Sequence, residues 1–182
     1  MLEVIVHGLY LGAPEELGAA GALVLWGGEE LARFQECYRR PDIRSPLGAE
    51  LRILATTLEW AQERGGMGET VTVRTRQGSL PAACQGRGEA SRPEIQVLVE
   101  SLERIALDFE GVHAEIAPGW VTAPAQEAAL RAVVQFLESS ARPGSGTPGW
   151  TPSQGGFRSL LPAQAPTGGL AARAEASGGG RS

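Results

Sequence analysis

Apolar positions along this chain alternate in some stretches and recur at helical spacing in others, and their order predicts five strands and three helices. Residues 2–7 (LEVIVH) and 21–26 (GALVLW) are short apolar runs bounded by turn residues, and 31–38 (LARFQECY) alternates, so three strands are expected. Their short, glycine-containing links imply an antiparallel meander. Over residues 45–64, Ser45 stands as N-cap and Pro46 at the first helical position. Leu47, Leu51, Leu54 and Leu58 then fall on one helical face, and the RGG at 64–66 ends the helix. TVTVRTR at 70–76 is a fourth strand. The glycines between 65 and 88 match no phosphate-binding pattern and are read as turns. Residues 91–109 open with a capping-box pair, Ser91 and Glu94, and place Ile95, Leu98, Leu102, Ile105 and Phe109 on one side. HAEIA at 113–117 is a fifth strand, and 124–138 the last helix. The order βββα, β, α, βα predicts a mixed α/β sheet with helices on its faces.

Residues 143–182 break this pattern. They are rich in Gly, Pro, Ser and Ala and have no sustained period, so they cannot bury enough surface to offset their ordering entropy. A folded domain over 1–140 and a disordered tail over 141–182 are therefore expected. Within the tail, Trp150, Phe157 and the SLLP run at 159–162 are candidates for docking a protein partner.

Composition narrows the class. Hydrophobic residues make up 42% of the 182, enough for a core. No run reaches the roughly eighteen apolar residues of a membrane span. The chain opens directly on a strand pattern, with no basic segment before an apolar run, so no secretory signal is expected. Cys37 and Cys84 are too few for a disulfide framework or a zinc site and read as reduced thiols, which places the protein in the cytoplasm. All sixteen basic residues are arginine, and the only aspartates among 21 acidic residues are Asp42 and Asp108. A net charge of −5 argues against a broad phosphate-gripping surface and leaves room only for a local arginine cluster.

Three local motifs in this order resemble the type I ribonuclease H family, which includes the reverse-transcriptase-like domains. That family's first strand ends in TDG, followed by a loop of the form CxGNP and a GxGA strand; here the chain reads VHGLYLGAP and then GAAGALVLW. Its long helix begins NNxAELxAxxxAL, and here SPLGAELRILATTL. Its fourth strand ends TDSQ, here RTRQ, and its fifth runs into VxGHxG, here APGWVT. The resemblance spans roughly residues 2–138. It implies a five-stranded sheet in the order 3-2-1-4-5, with helices on both faces.

The family's chemistry uses two magnesium ions held by three aspartates and a glutamate, because such hard, doubly charged cations demand several anionic oxygens. Carried over by position, the resemblance puts His7, Glu50, Thr75 and Leu130 at the four carboxylate positions, and Trp120 at that of a mobile histidine assisting product release. Only Glu50 keeps its carboxylate, with Glu127 the nearest substitute at the loosely aligned last helix. A neutral imidazole cannot bridge two magnesium ions. His7 is therefore read as a hydrogen-bonded structural residue, and Glu50 as a leftover from an active ancestor or an ion-pair partner for Arg74 and Arg76, which flank Thr75.

Three functions remain open on the sequence. The first is a catalytically silent ribonuclease H-like domain that binds an RNA–DNA hybrid or duplex through Arg74, Arg76 and Trp120, with Arg87 nearby, and needs no cofactor. The second is a protein-interaction or homodimerisation module. The third is an active hydrolase, dependent on Mg2+ or Mn2+, built around Glu50, Glu127, Glu115 and His7.

Overall fold

A computed structural model of the chain describes residues 1–39, 43–85, 87 and 92–141. The expected tail lies outside the described residues, apart from its first position, Ala141, as do Asp42 and Ser91. Strands β1 (Leu2–Leu11), β2 (Leu17–Trp26) and β3 (Glu29–Tyr38) form the antiparallel meander. Helix α1 (Pro46–Glu63), strand β4 (Thr70–Thr75), a short helix α2 (Ser79–Ala83), helix α3 (Pro93–Ala106), strand β5 (Gly111–Ile116) and helix α4 (Gly119–Ala141) follow. The sheet order is β3-β2-β1-β4-β5, with β4 parallel to both β1 and β5. Among the described residues, no helix is long and apolar enough to cross a membrane.

The helical stripes account for the core. Leu47, Leu51, Leu54 and Leu58 of α1 are buried against β1 and β2, and α3 covers α1 with Ile95, Leu98, Leu102 and Ile105. The opposite face of the sheet is covered by α4, which lies across β1, β2 and β3. Ser45 caps α1 as expected, its Oγ accepting from the Gly48 N–H at 3.1 Å.

Several boundaries differ from the sequence reading, each for a physical reason. β2 begins at Leu17 rather than Gly21. Its LGAA stretch has little strand propensity, but its glycines are sites of close approach. A Cβ on Gly18 would come within 2.8 Å of the Ile43 side chain, and one on Gly21 would run into the Ala125 carbonyl of α4. β1 continues to Leu11, four residues past His7, because β2 still pairs with it there. β3 begins at Glu29, two residues before the alternation, opposite Trp26. β4 ends at Thr75, one residue short of the expected end, and β5 spans 111–116 rather than 113–117, following the β4 register. α3 starts at Pro93 with Arg92 in the cap position and no side-chain cap bond, and the capping-box expectation at Ser91 lies outside the described residues. α4 starts five residues before Pro124, because the Pro118 carbonyl accepts from the N–H groups of Val121 and Thr122 and closes a turn upstream of the proline. The short α2 was read as turn.

Candidate functional site

The site forms where two parallel strands part. β1 and β4 pair only from Leu2–Ile5 to Val71–Arg74. Beyond that point the Gly8 peptide has no partner from β4, and side chains take its place. The Gly8 N–H donates to Glu50 Oε1 at 3.1 Å, and the Gly8 carbonyl accepts from Gln77 Nε2 at 3.2 Å. Thr75 Oγ1 donates to the Glu50 carboxyl, 3.1 Å from each oxygen, and accepts from the Gln77 N–H at 2.9 Å. The four residues thus close a ring of hydrogen bonds joining β1, α1 and the end of β4. Gly8 must be glycine here, since a Cβ would strike the Pro46 carbonyl and come within 2.8 Å of Glu50 Cγ.

Glu50 is fully buried. Burial pushes its carboxyl up to about 8, against the opposing pull of the Gly8 and Thr75 hydrogen bonds. Among the described residues it pairs with no arginine, which corrects the expected ion pair. The nearby Arg74 alternates with Thr75 onto the other face of β4, and its Nε lies 2.6 Å from Glu3 and 3.5 Å from Glu115. The 2.6 Å approach is an ionic contact without the alignment of a hydrogen bond. Charge on Arg74 is therefore already balanced.

His7 alternates with Val6 and Gly8, so it opens on the α4 face, while Glu50 approaches from α1. It is 7% exposed and pairs in register with Gly21, the residue α4 presses upon. Its Nδ1 has no hydrogen-bond partner among the described residues, so His7 is not the fully bonded structural histidine the sequence suggested. Burial, reinforced by Arg76, lowers its pKa and favours the neutral ring.

On α4 the carried-over position faces outward. Leu130 is 49% exposed, whereas Ala125, Ala128 and Ala129 turn toward the sheet. Glu127 is also exposed and pairs with Arg131 at 2.6 Å. Glu127, Glu115, His7 and Glu50 therefore do not converge. Among the described residues no three His, Cys, Asp or Glu side chains come together to hold a metal ion. A pair of magnesium ions needs several free anionic oxygens. One buried carboxyl with both oxygens engaged, a neutral imidazole on the other face and a hydroxyl do not fit that group.

Arg76 and Trp120 lie at the mouth of the parting. Arg76 is exposed, and its guanidinium packs over Gly119 at the start of α4. Trp120 follows directly and is 80% exposed. Arg87 is exposed beyond α2. Sequence reasoning missed the parts played by Gly8 and Gln77. The only signal was the position of Gln77, two residues after Thr75 at the end of a strand.

The comparisons agree with the sheet order. The N-terminal RNase H domain of a Mycobacterium tuberculosis protein superposes with a TM-score of 0.64 at 21% identity, over 78% of this chain and 100% of that one. RNase H1 from Halobacterium salinarum gives 0.64 at 18% identity, over 74% and 98%. LC11-RNase H1, solved in complex with an RNA/DNA hybrid, gives 0.66 at 17% identity, over 75% and 99%. The chain has the ribonuclease H fold. No protein-family model and no curated protein matches it. The ring around Glu50 is built from residues of this chain's own sequence.

Proposed function

We propose that this ribonuclease H-fold domain is non-hydrolytic and binds a nucleic-acid duplex, with an RNA–DNA hybrid as the first candidate, at the end of the sheet beside β1 and β4. The observation that carries the reading is the adjacency of Arg76, a cation with no ion pair among the described residues, to the exposed Trp120. Crevices at the carboxyl ends of parallel strands, where the strand order reverses, are the usual ligand sites of such sheets. An arginine positions a phosphate there, and an indole offers a stacking surface. The hybrid-bound neighbour LC11-RNase H1 supports the choice of probe.

The test is binding of a labelled RNA–DNA hybrid at low salt, where a net-acidic domain best shows a local contact. Arg76→Ala is expected to weaken binding about tenfold and to reduce the salt slope by about one. Arg74→Ala is expected to change little, because Glu3 and Glu115 already neutralise it. Equal effects of the two variants, or no binding at low salt, would remove the reading. Metal-dependent cleavage of the hybrid would remove the non-hydrolytic part.

A second reading is favoured by one feature of α4. Leu130, Val134 and Leu137 form an outward apolar stripe at i, i+4 and i+7, each about half exposed. Such a stripe suits a protein partner or a second copy of the chain. Light scattering checks this: a dimer in the wild type that becomes a monomer in Leu130→Glu/Val134→Glu supports it, and a monomer in both counts against homodimerisation.

A further inference from the structure

We propose that Gly8, Glu50, Thr75 and Gln77 act as a single tie that takes the place of a cation pair, holding β1, α1 and β4 together without metal. The inference deepens the non-hydrolytic part of the reading above and does not depend on nucleic-acid binding.

The four residues satisfy one another's hydrogen bonds in a closed circuit. β1 needs both β2 and β4 as partners, but β4 leaves it after Ile5. A bare peptide at Gly8, buried under α1, would leave an unpaired donor and acceptor, each costly in a low-dielectric interior. Glu50 takes the donor and Gln77 supplies the acceptor's partner. Thr75 links the two by donating to one and accepting from the other. Each member thus depends on its neighbours in the ring. Removing Thr75 Oγ1 strands Glu50 Oε2 and the Gln77 N–H, and removing the Gln77 side chain strands the Gly8 carbonyl. The Glu50 oxygens that a divalent ion would need are already held in the ring by the Gly8 N–H and Thr75 Oγ1, and the space beside Gly8 is filled by the Glu50 stem. A constellation that in a metal site must repel itself until cations arrive is here complete from the protein's own groups.

Two measurements on the full chain test the tie. First, thermal unfolding is followed with chelator, with magnesium or manganese at millimolar concentration, and with sodium chloride of equal ionic strength. The midpoint is expected to be the same in all three. A rise specific to the divalent ions that Glu50→Gln removes would overturn both the tie and the non-hydrolytic reading. Second, Thr75→Val and Gln77→Leu are combined in a double-mutant cycle. Each alone is expected to lower the folding equilibrium constant about tenfold, and the pair by clearly less than the product, because both open the same ring. Strictly multiplicative effects would overturn the tie and leave the nucleic-acid reading intact. Should Thr75→Val fail to fold, hydrogen exchange at the Gly8 amide decides. That amide donates to Glu50, so slow exchange in the wild type that quickens in Gln77→Leu supports the tie, and fast exchange in the wild type refutes it.

Discussion

Replacing Glu50 with glutamine is expected to remove a loss of stability of about 2 kcal/mol that the wild type suffers between pH 6.5 and pH 8. The sign follows from the carboxyl's displacement. In the unfolded chain it titrates near 4.5, and in the folded protein burial raises it to about 8. The folded state therefore holds a proton that the unfolded state has released. Its contribution to stability is complete below pH 4.5, falls as pH rises from 4.5 to 8, and is flat beyond. The whole span corresponds to at most about 5 kcal/mol, and the part above pH 6.5 to about 2 kcal/mol. The upper part is the cleaner window. His7, whose pKa is lowered in the fold, works in the opposite sense below its unfolded value of 6.5 and adds stability as pH rises to that point. Glutamine keeps an oxygen for the Gly8 N–H and cannot ionise. Urea unfolding of both proteins at pH 6.5 and pH 8 checks the expectation. Equal pH slopes in the two would show that Glu50 is already ionised in the folded state.

Gly21→Ala is expected to be the most damaging of the small substitutions, costing about 3 kcal/mol or more. The added methyl has no flexible side chain to displace. It would collide with the Ala125 carbonyl and come within 2.7 Å of the Ala129 N–H, both backbone groups of α4. The helix can escape only by lifting from the sheet, which uncovers Ile5, Leu23 and Ala125. Gly12→Ala is the control, because nothing lies within 4 Å of its Cβ position. Denaturant midpoints of the two variants should differ widely, and amide exchange in α4 should quicken in Gly21→Ala alone. Similar midpoints would mean that α4 does not sit on β2 as closely as described.

Much of the architecture was legible because it is written in periodicity. The α1 stripe from Leu47 to Leu58 and the α3 stripe from Ile95 to Ile105 have the 3.6-residue recurrence that only a helix with one buried face produces, and both are buried as expected. The motif order then implied the sheet order. What the sequence hid lies where small residues do the packing. LGAAG in β2 and the alanines of α4 carry no pattern of their own, and their meaning comes from each other where Gly21 meets Ala125, Ala128 and Ala129. For the same reason the last helix could not be aligned by its apolar positions, and Leu130, one residue beyond Ala129, faces outward instead of inward.

The site was legible only in part. The absence of aspartate from the chain's strand ends could be read directly, and it led to Glu50 and Thr75. That these two touch, and that Gln77 and a glycine peptide complete the circuit, depends on where β4 turns away from β1, which no local signal announces. Arginines 74 and 76 look equivalent in sequence. Arg74 lies within β4, between glutamates of β1 and β5, whereas Arg76 lies beyond the strand's end at Thr75.

Thr75 both gives and receives in the circuit around Glu50, so no acidic side chain can replace it without breaking the circuit at two points. An aspartate introduced at 75 alone would face an acceptor and withdraw a donor before any ion had a reason to enter. The outward turn of Leu130 means that a fourth carboxylate would have to come from elsewhere on α4. A cluster of carboxylates beside Glu50 would thus require coordinated changes across β1, α1, β4 and α4.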